Sequence, residues 1–388
     1  MSSVTSPLIR PLSKAPAADP SASSVQQVLP EPWFGLTDEA AMARIPEVRA
    51  RLGSKLMILG HHYQRDEVLQ FADQTGDSFG LARAAAANRD ASYIVFCGVH
   101  FMAESADILT RDDQTVILPD LSAGCSMADM AELDQVEDAW DELTEVLGEG
   151  RVMPITYINS AASLKAVVGQ HGGAVCTSSN AEPIIRWGLA QREKLLFFPD
   201  QHLGRNTGAK MGIPLDEMVV WDPTKPPGSM GGNTREALQR AKLILWRGHC
   251  QVHQRFLPDH VRSFREKFPG IQVIVHPECS YEVVQMADHV GSTAFILKTV
   301  EQAPAGTSWV VGTEIHLVDR LRRAHPDKFI SSLVPGVCLC STMNRIDPQH
   351  MLWVLDNLEA GRVVNPIRVP EPTASRARLA LDRMLEIH

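Results

Sequence analysis

The sequence has no apolar run long enough to cross a membrane. Its best apolar stretches, Tyr93–Val99 and Leu195–Phe198, are strand-sized, far short of the roughly 18–20 residues that a spanning helix needs. It has no basic block either. Asp and Glu number 46 against 37 Lys and Arg, a formal net charge of −9, which argues against nucleic acid or an anionic membrane as a main partner. A small anionic substrate stays open, because local fields decide its binding. The first 32 residues lack a basic start followed by an apolar core, so no secretory signal is expected. Cysteines are too few, and odd in number at seven, for a disulfide framework. A cytoplasmic, reducing compartment is expected, where thiols are buried, catalytic or metal-bound.

What is present is an ordinary globular composition, 44% hydrophobic and 21% charged over 388 residues, which excludes wholesale disorder and predicts two to three domains. Residues 1–32 are rich in Ser, Pro and Ala and read as a flexible extension; Arg10 and Lys14 are too few for a transit peptide. Beyond them, short apolar β-branched runs alternate with helical patterns, which predicts βαβ units and parallel sheets.

One order recurs three times. The first unit runs Leu56–Leu59 into His61-His62-Tyr63, then Ile94–Gly98, then Val116–Asp120, and closes at Gly124-Cys125. The second runs Val152–Asn159, Ala174–Asn180 and Leu195–Asp200, and closes at Gly248-His249-Cys250. The third runs Ile271–Glu278, His289–Thr293 and Trp309–Glu314, and closes at Gly336-Val337-Cys338-Leu339-Cys340. The fold class expected is α/β: three similar three-layer α/β/α domains with short parallel sheets. They cover residues 33–145, with 340–388 packing back on this first domain, then 146–250 and 251–339. Any α/β protein shows some alternation, but here polar groups recur at the carboxyl ends of strands, where α/β proteins bind ligands.

Three thiols, one closing each unit, would meet if the units surround one axis. They would suit an iron–sulfur cluster or zinc. Their separations, 125 and 90 residues for Cys125, Cys250 and Cys340, match no local motif, and a cysteine is often only a small buried hydrophobe. The Gly-x-Cys spacing at Cys250 recurs at Cys338 and leaves Cys338 against Cys340 open. His61-His62-Tyr63 and His276-Pro277-Glu278 follow apolar strands and read as cleft groups, with His–Glu a candidate acid/base pair or metal ligand. Ser78, Ser178-Ser179-Asn180 and Ser292-Thr293 are hydroxyl clusters at the starts of helical patterns. Each could be a plain N-cap, and together they fit a ligand with several carboxylates or a phosphate. Lone residues such as His202, His249, His253 and Arg205 carry no signal of their own.

From about residue 50 to 370 the chain resembles quinolinate synthase, the iron–sulfur enzyme family of NAD biosynthesis. The motifs that carry this are Gly60-His61-His62-Tyr63-Gln64, Gly76-Asp77-Ser78, Phe101-Met102-Ala103-Glu104, Gly124-Cys125-Ser126-Met127-Ala128, Tyr157-Ile158-Asn159-Ser160, Cys176-Thr177-Ser178-Ser179-Asn180-Ala181, Cys250-Gln251-Val252-His253, His276-Pro277-Glu278-Cys279, Gly291-Ser292-Thr293 and Cys340-Ser341-Thr342-Met343. The resemblance implies three α/β domains around a pseudo-threefold axis and a [4Fe–4S] cluster on Cys125, Cys250 and Cys340. It implies condensation of iminoaspartate with dihydroxyacetone phosphate to quinolinate, with loss of phosphate and water. It places His61, Tyr63, Ser78, Tyr157, Asn159, Ser178, His276, Glu278, Ser292 and Thr293 around substrate, with Glu278, His276, Tyr157 and Tyr63 in catalysis. The third ligand falls in Cys-x-x-Met, which favours Cys340. His62 stands where some members carry Asn, and the further cysteines some carry near the third ligand are missing. The small-molecule partners implied exclude nucleic acid and membrane, and an L-aspartate oxidase is the implied source of iminoaspartate. Two other readings remain: an iron–sulfur hydro-lyase for another hydroxy acid, and a non-catalytic iron–sulfur redox sensor.

Overall fold

A computed structural model describes residues 26–336 and 338–387; most of the expected N-terminal extension lies outside the described residues. Among these, fourteen strands form three sheets. The first sheet is built from β1 (Leu56–His61), β2 (Gln74–Gly76), β3 (Tyr93–Cys97) and β4 (Thr115–Ile117). The second has β5 (Val152–Tyr157), β6 (Ala174–Cys176), β7 (Lys194–Phe198), β8 (Met218–Trp221) and β9 (Leu243–Trp246). The third has β10 (Gln272–Val275), β11 (His289–Val290), β12 (Ser308–Gly312) and β13 (Phe329–Ser332). A last strand, β14 (Pro366–Ile367), returns to the first sheet.

The three sheets share one topology. Their orders are β2-β1-β3-β4, β6-β5-β7-β9 and β11-β10-β12-β13, and every pair within them is parallel. Each is second-first-third-fourth in chain order. Two strands are additions: β8 pairs parallel at the edge of the second sheet, and β14 pairs antiparallel with β4. The sequence reading matched Ile94–Gly98 with the second strand of the other units. The structure makes it the third, because β2 precedes it. That strand is three residues long with Gln74 and Thr75 exposed, so no apolar run announces it.

The strands are apolar because both sheet faces are covered, as parallel crossovers require. In the third sheet Val273, Val275 and Val310 face one core, while Ile274, Trp309 and Val311 face another, the two-residue alternation of a pleated strand. Strand ends pass into helices through side-chain caps. Asp77 accepts from Gly80 N, Asp200 from His202 N, Ser292 from Phe295 N and Glu314 from His316 N.

The C-terminal segment packs in two places. Its helix Pro348–Glu359 lies against the helix Asp38–Leu52. Its last helix, Thr373–Glu386, lies against the helix Ala162–Gln170 beside the second sheet. The approach there is close enough that a Cβ on Gly169 would sit 2.0 Å from Arg376 O.

Candidate functional site

The carboxyl ends of strands from all three sheets open onto one cavity of about 70 Å³, the place where α/β proteins bind ligands. His61 closes β1 and Tyr63 follows it, Ser78 follows β2, Tyr157 closes β5 and Asn159 follows it, and Ser178 follows β6. His276 and Glu278 follow β10, and Thr293 follows β11. All of these line the cavity, as do Cys125, Cys250 and Cys340. Ser292 does not. Its Oγ accepts from Phe295 N at 3.4 Å as a helix cap, and the residue lines a neighbouring cleft that shares Ser178.

The three cysteines open the same local structure. Each carbonyl accepts from the amide four residues on, at 3.1 Å from Asp129, 3.1 Å from Gln254 and 3.0 Å from Asn344. A 3-10 turn begins three residues after each cysteine: Ala128–Met130, His253–Arg255 and Met343–Arg345. A helix begins eight residues after it: Leu133–Leu147, Pro258–Lys267 and Pro348–Glu359. Each turn follows the fourth strand of its sheet's shared order. Cys338 is outside this pattern. It is fully buried in the core of the third unit, and its thiol faces Val252 O at 3.4 Å.

Burial raises all three cavity thiols, Cys125 to about 12, and backbone amides aimed at the sulfurs oppose it: Ala128 and Met127, His253, and Thr342 and Met343. Buried thiols with N–H donors already in place are suited to a metal centre, whose charge makes the thiolate the stable form. Cys125, Cys250 and Cys340 are the cysteines on the cavity wall among the described residues, and all seven cysteines are free. The residues therefore fit a centre held by three thiolates.

The turns are braced across the sheets. Trp246 Nε1 donates to Met130 O at 2.7 Å, Gln254 Nε2 to Glu278 O at 3.1 Å, and Gln64 Nε2 to Met343 O at 3.2 Å. Arg320 clamps the His61–Gln64 turn by donating to His62 O at 2.9 Å and Gln64 O at 2.7 Å. Asn206 Nδ2 donates to Pro277 O and Cys279 O, both at 2.8 Å, and so fixes the loop that carries Glu278.

Glu278 is the electrostatic centre. One carboxylate oxygen lies 2.7 Å from His253 Nδ1, out of line for a regular hydrogen bond, and 3.7 Å from His276 Nδ1. The His253 and His276 rings stack at 4.5 Å. Burial drives His276 down to about 3 and His61 well below its ordinary value, so both are neutral near pH 7. Burial opposes the charge on Glu278, but the two imidazoles and the Tyr157 hydroxyl outweigh it and keep the carboxyl on the low side of its ordinary value. A neutral ring gives less of this help than a cation, so the direction rests on polar contacts facing the carboxylate. Burial, reinforced by Glu278, pushes the Tyr63 and Tyr157 phenols well up, so both are donors. Asp200, buried behind them, is pushed well above its ordinary value by burial and then by Glu278. Asn159 Oδ1 and Thr293 Oγ1 line the cavity with no protein partner, and buried polar atoms of that kind need a ligand or water.

Sequence reasoning gave no role to His253, Thr313 or Lys165. His253 stands three residues after Cys250, where Met343 stands after Cys340, and its place beside His276 and Glu278 appears only in the assembled structure. Cys250 Sγ, a His253 nitrogen and a Glu278 oxygen lie within 4.8 Å of one another. Lys165 is wholly buried, is held at about 8 by burial, donates to Ser160 O and lies 5.6 Å from the Phe101 ring centre.

Parallel sheets whose strand ends converge on one cavity lined by three thiols and a carboxylate define an α/β small-molecule enzyme. The family model described as quinolinate synthetase A protein matches residues 43–386. A quinolinate synthase of Herpetosiphon aurantiacus is 60% identical over 360 residues, 92% of this chain and 95% of its own length. One from a Nocardioides species is 59% identical, covering 90% of each chain, and one from Corynebacterium glutamicum is 53% identical, covering 93% and 91%. The chain belongs to the quinolinate synthase family. No helix among the described residues is long and apolar enough to cross a membrane.

Proposed function

We propose that the chain condenses iminoaspartate with dihydroxyacetone phosphate to give quinolinate, phosphate and two waters. The observation that carries this reading is that three like-built cysteine turns and the Glu278 cluster face one cavity in a member of the quinolinate synthase family. Cys125, Cys250 and Cys340 would hold a [4Fe–4S] cluster. When bound, it supplies an iron without a protein thiolate, a Lewis acid toward a substrate hydroxyl or carboxylate.

The remaining work falls to side chains. Quinolinate and iminoaspartate carry two carboxylates each and dihydroxyacetone phosphate a phosphate, and His61, Ser78, Asn159, Ser178 and Thr293 offer polar groups to them, with Ser292 holding the helix start that presents Thr293. Tyr63 and Tyr157, kept protonated, hydrogen-bond oxygen atoms of the substrate and orient it for ring closure. Glu278, with His276 beside it, takes and returns protons in the dehydrations. The free thiols support a cytosolic setting, and an L-aspartate oxidase is the proposed source of iminoaspartate. The domain limits proposed are 33–145, 146–250 and 251–339; of the expected return of 340–388 to the first, Pro348–Glu359 and Pro366–Ile367 pack there, while the last helix, Thr373–Glu386, lies against the second.

Glu278→Gln tests the chemistry. Anaerobically purified variant should keep its iron and lose quinolinate formation by at least about 100-fold. Near-normal turnover would refute the role of Glu278.

A further inference from the structure

Thr313 is fully buried just beyond β12 and lies behind the cavity wall. Its Oγ1 is 2.6 Å from Tyr63 Oη and 3.2 Å from His253 Nε2, while Tyr63 and His253 are 3.5 Å apart. On the other side of the ring, His253 Nδ1 is 2.7 Å from Glu278 Oε2. The Thr313 hydroxyl therefore bridges Tyr63 Oη and His253 Nε2, on the side of the ring opposite Glu278.

We propose that Thr313 is a positioning residue: its hydroxyl bridges Tyr63 Oη and His253 Nε2, and so holds the Tyr63 hydroxyl at the cavity wall and the His253 ring against Glu278. Thr313 touches no substrate. It acts by holding two facing groups in place. The inference rests on the roles given above to Tyr63 and Glu278, and Tyr63→Phe assayed alongside separates the two ideas.

The test compares Thr313→Val, which keeps the shape and loses the hydroxyl, with Thr313→Ser, which keeps the hydroxyl and loses the methyl. In iron-replete enzyme, Thr313→Val should lower kcat about 10–100-fold, the range for partners that orient a site group. KM, iron content and calorimetric affinity for quinolinate should stay within about twofold. Thr313→Ser should recover most of kcat. A fast Thr313→Val beside a slow Tyr63→Phe overturns the proposal alone, and a wild-type rate in Tyr63→Phe overturns it together with the role of Tyr63. A Thr313→Ser as slow as the Val variant, or loss of iron in both, assigns Thr313 a packing role and also overturns it.

Discussion

Cys338 and Cys340 are two residues apart, and the structure gives them opposite expected behaviour on replacement by alanine. Cys338 is fully buried among Val252, Phe256, Val273 and Leu333, and its thiol meets one carbonyl at 3.4 Å. Removing that sulfur loses burial worth about one methylene and leaves a small void, a cost of about 1–2 kcal/mol. Against the about 5–15 kcal/mol by which folded domains are stable, the chain stays folded. Cys338→Ala should therefore be somewhat less stable and keep its iron and its turnover. Cys340 is half-buried on the cavity wall, with the amides of Thr342 and Met343 facing its sulfur. Its removal costs little packing but takes away one of three thiolates, so iron should fall from about four per chain to below about one. The assay is iron and acid-labile sulfide per chain after anaerobic purification, with a urea midpoint measured on the same samples. Iron loss in Cys338→Ala with retention in Cys340→Ala would refute the assignment from the turns.

Gly248 stands two residues before Cys250, where a Cβ would lie 2.1 Å from Pro199 O. Gly248→Ala should force apart the segments carrying Asp200 and Cys250, cost about 1–3 kcal/mol, and lower iron occupancy; a wild-type urea midpoint and iron content would contradict this. His316 Nδ1 lies 2.9 Å from Glu314 Oε1, and this hydrogen bond outweighs burial and raises the His316 pKa above 6.5. The folded state thus prefers the protonated ring, so its stabilisation is complete below pH 6.5 and disappears as pH rises through the raised value. Melting temperature should fall over that range in the wild type and not in His316→Gln, and parallel profiles would show the pair to be inert.

Much of this fold was legible because burial on two faces writes itself as apolar runs. Leu56–Leu59, Tyr93–Cys97, Leu195–Phe198 and Trp309–Val311 need no tertiary knowledge to be seen. Polar groups at strand ends were legible for the same reason, since His61, Tyr157 and Glu278 stand at or just past the ends of the apolar strands β1, β5 and β10. The strand β2 was hidden because Gln74-Thr75 is a polar edge, and missing it shifted the strand matching of the first unit. The choice of Cys340 had a readable signal in the helix start eight residues on, marked by proline at Pro258 and Pro348, whereas Gly-x-Cys spacing pointed elsewhere. His253 and Thr313 carry no such signal. Their importance comes from stacking on His276 and from a hydroxyl bridging residues 63 and 253, contacts that exist only once the sheets have assembled.

The direct measurement is turnover by the wild-type chain, purified without oxygen and carrying its full iron. Supplied with a source of iminoaspartate and with dihydroxyacetone phosphate, it should release quinolinate and inorganic phosphate in equal amounts. Iron-replete protein that forms no quinolinate, or a colourless protein loaded with zinc, would contradict the proposed function.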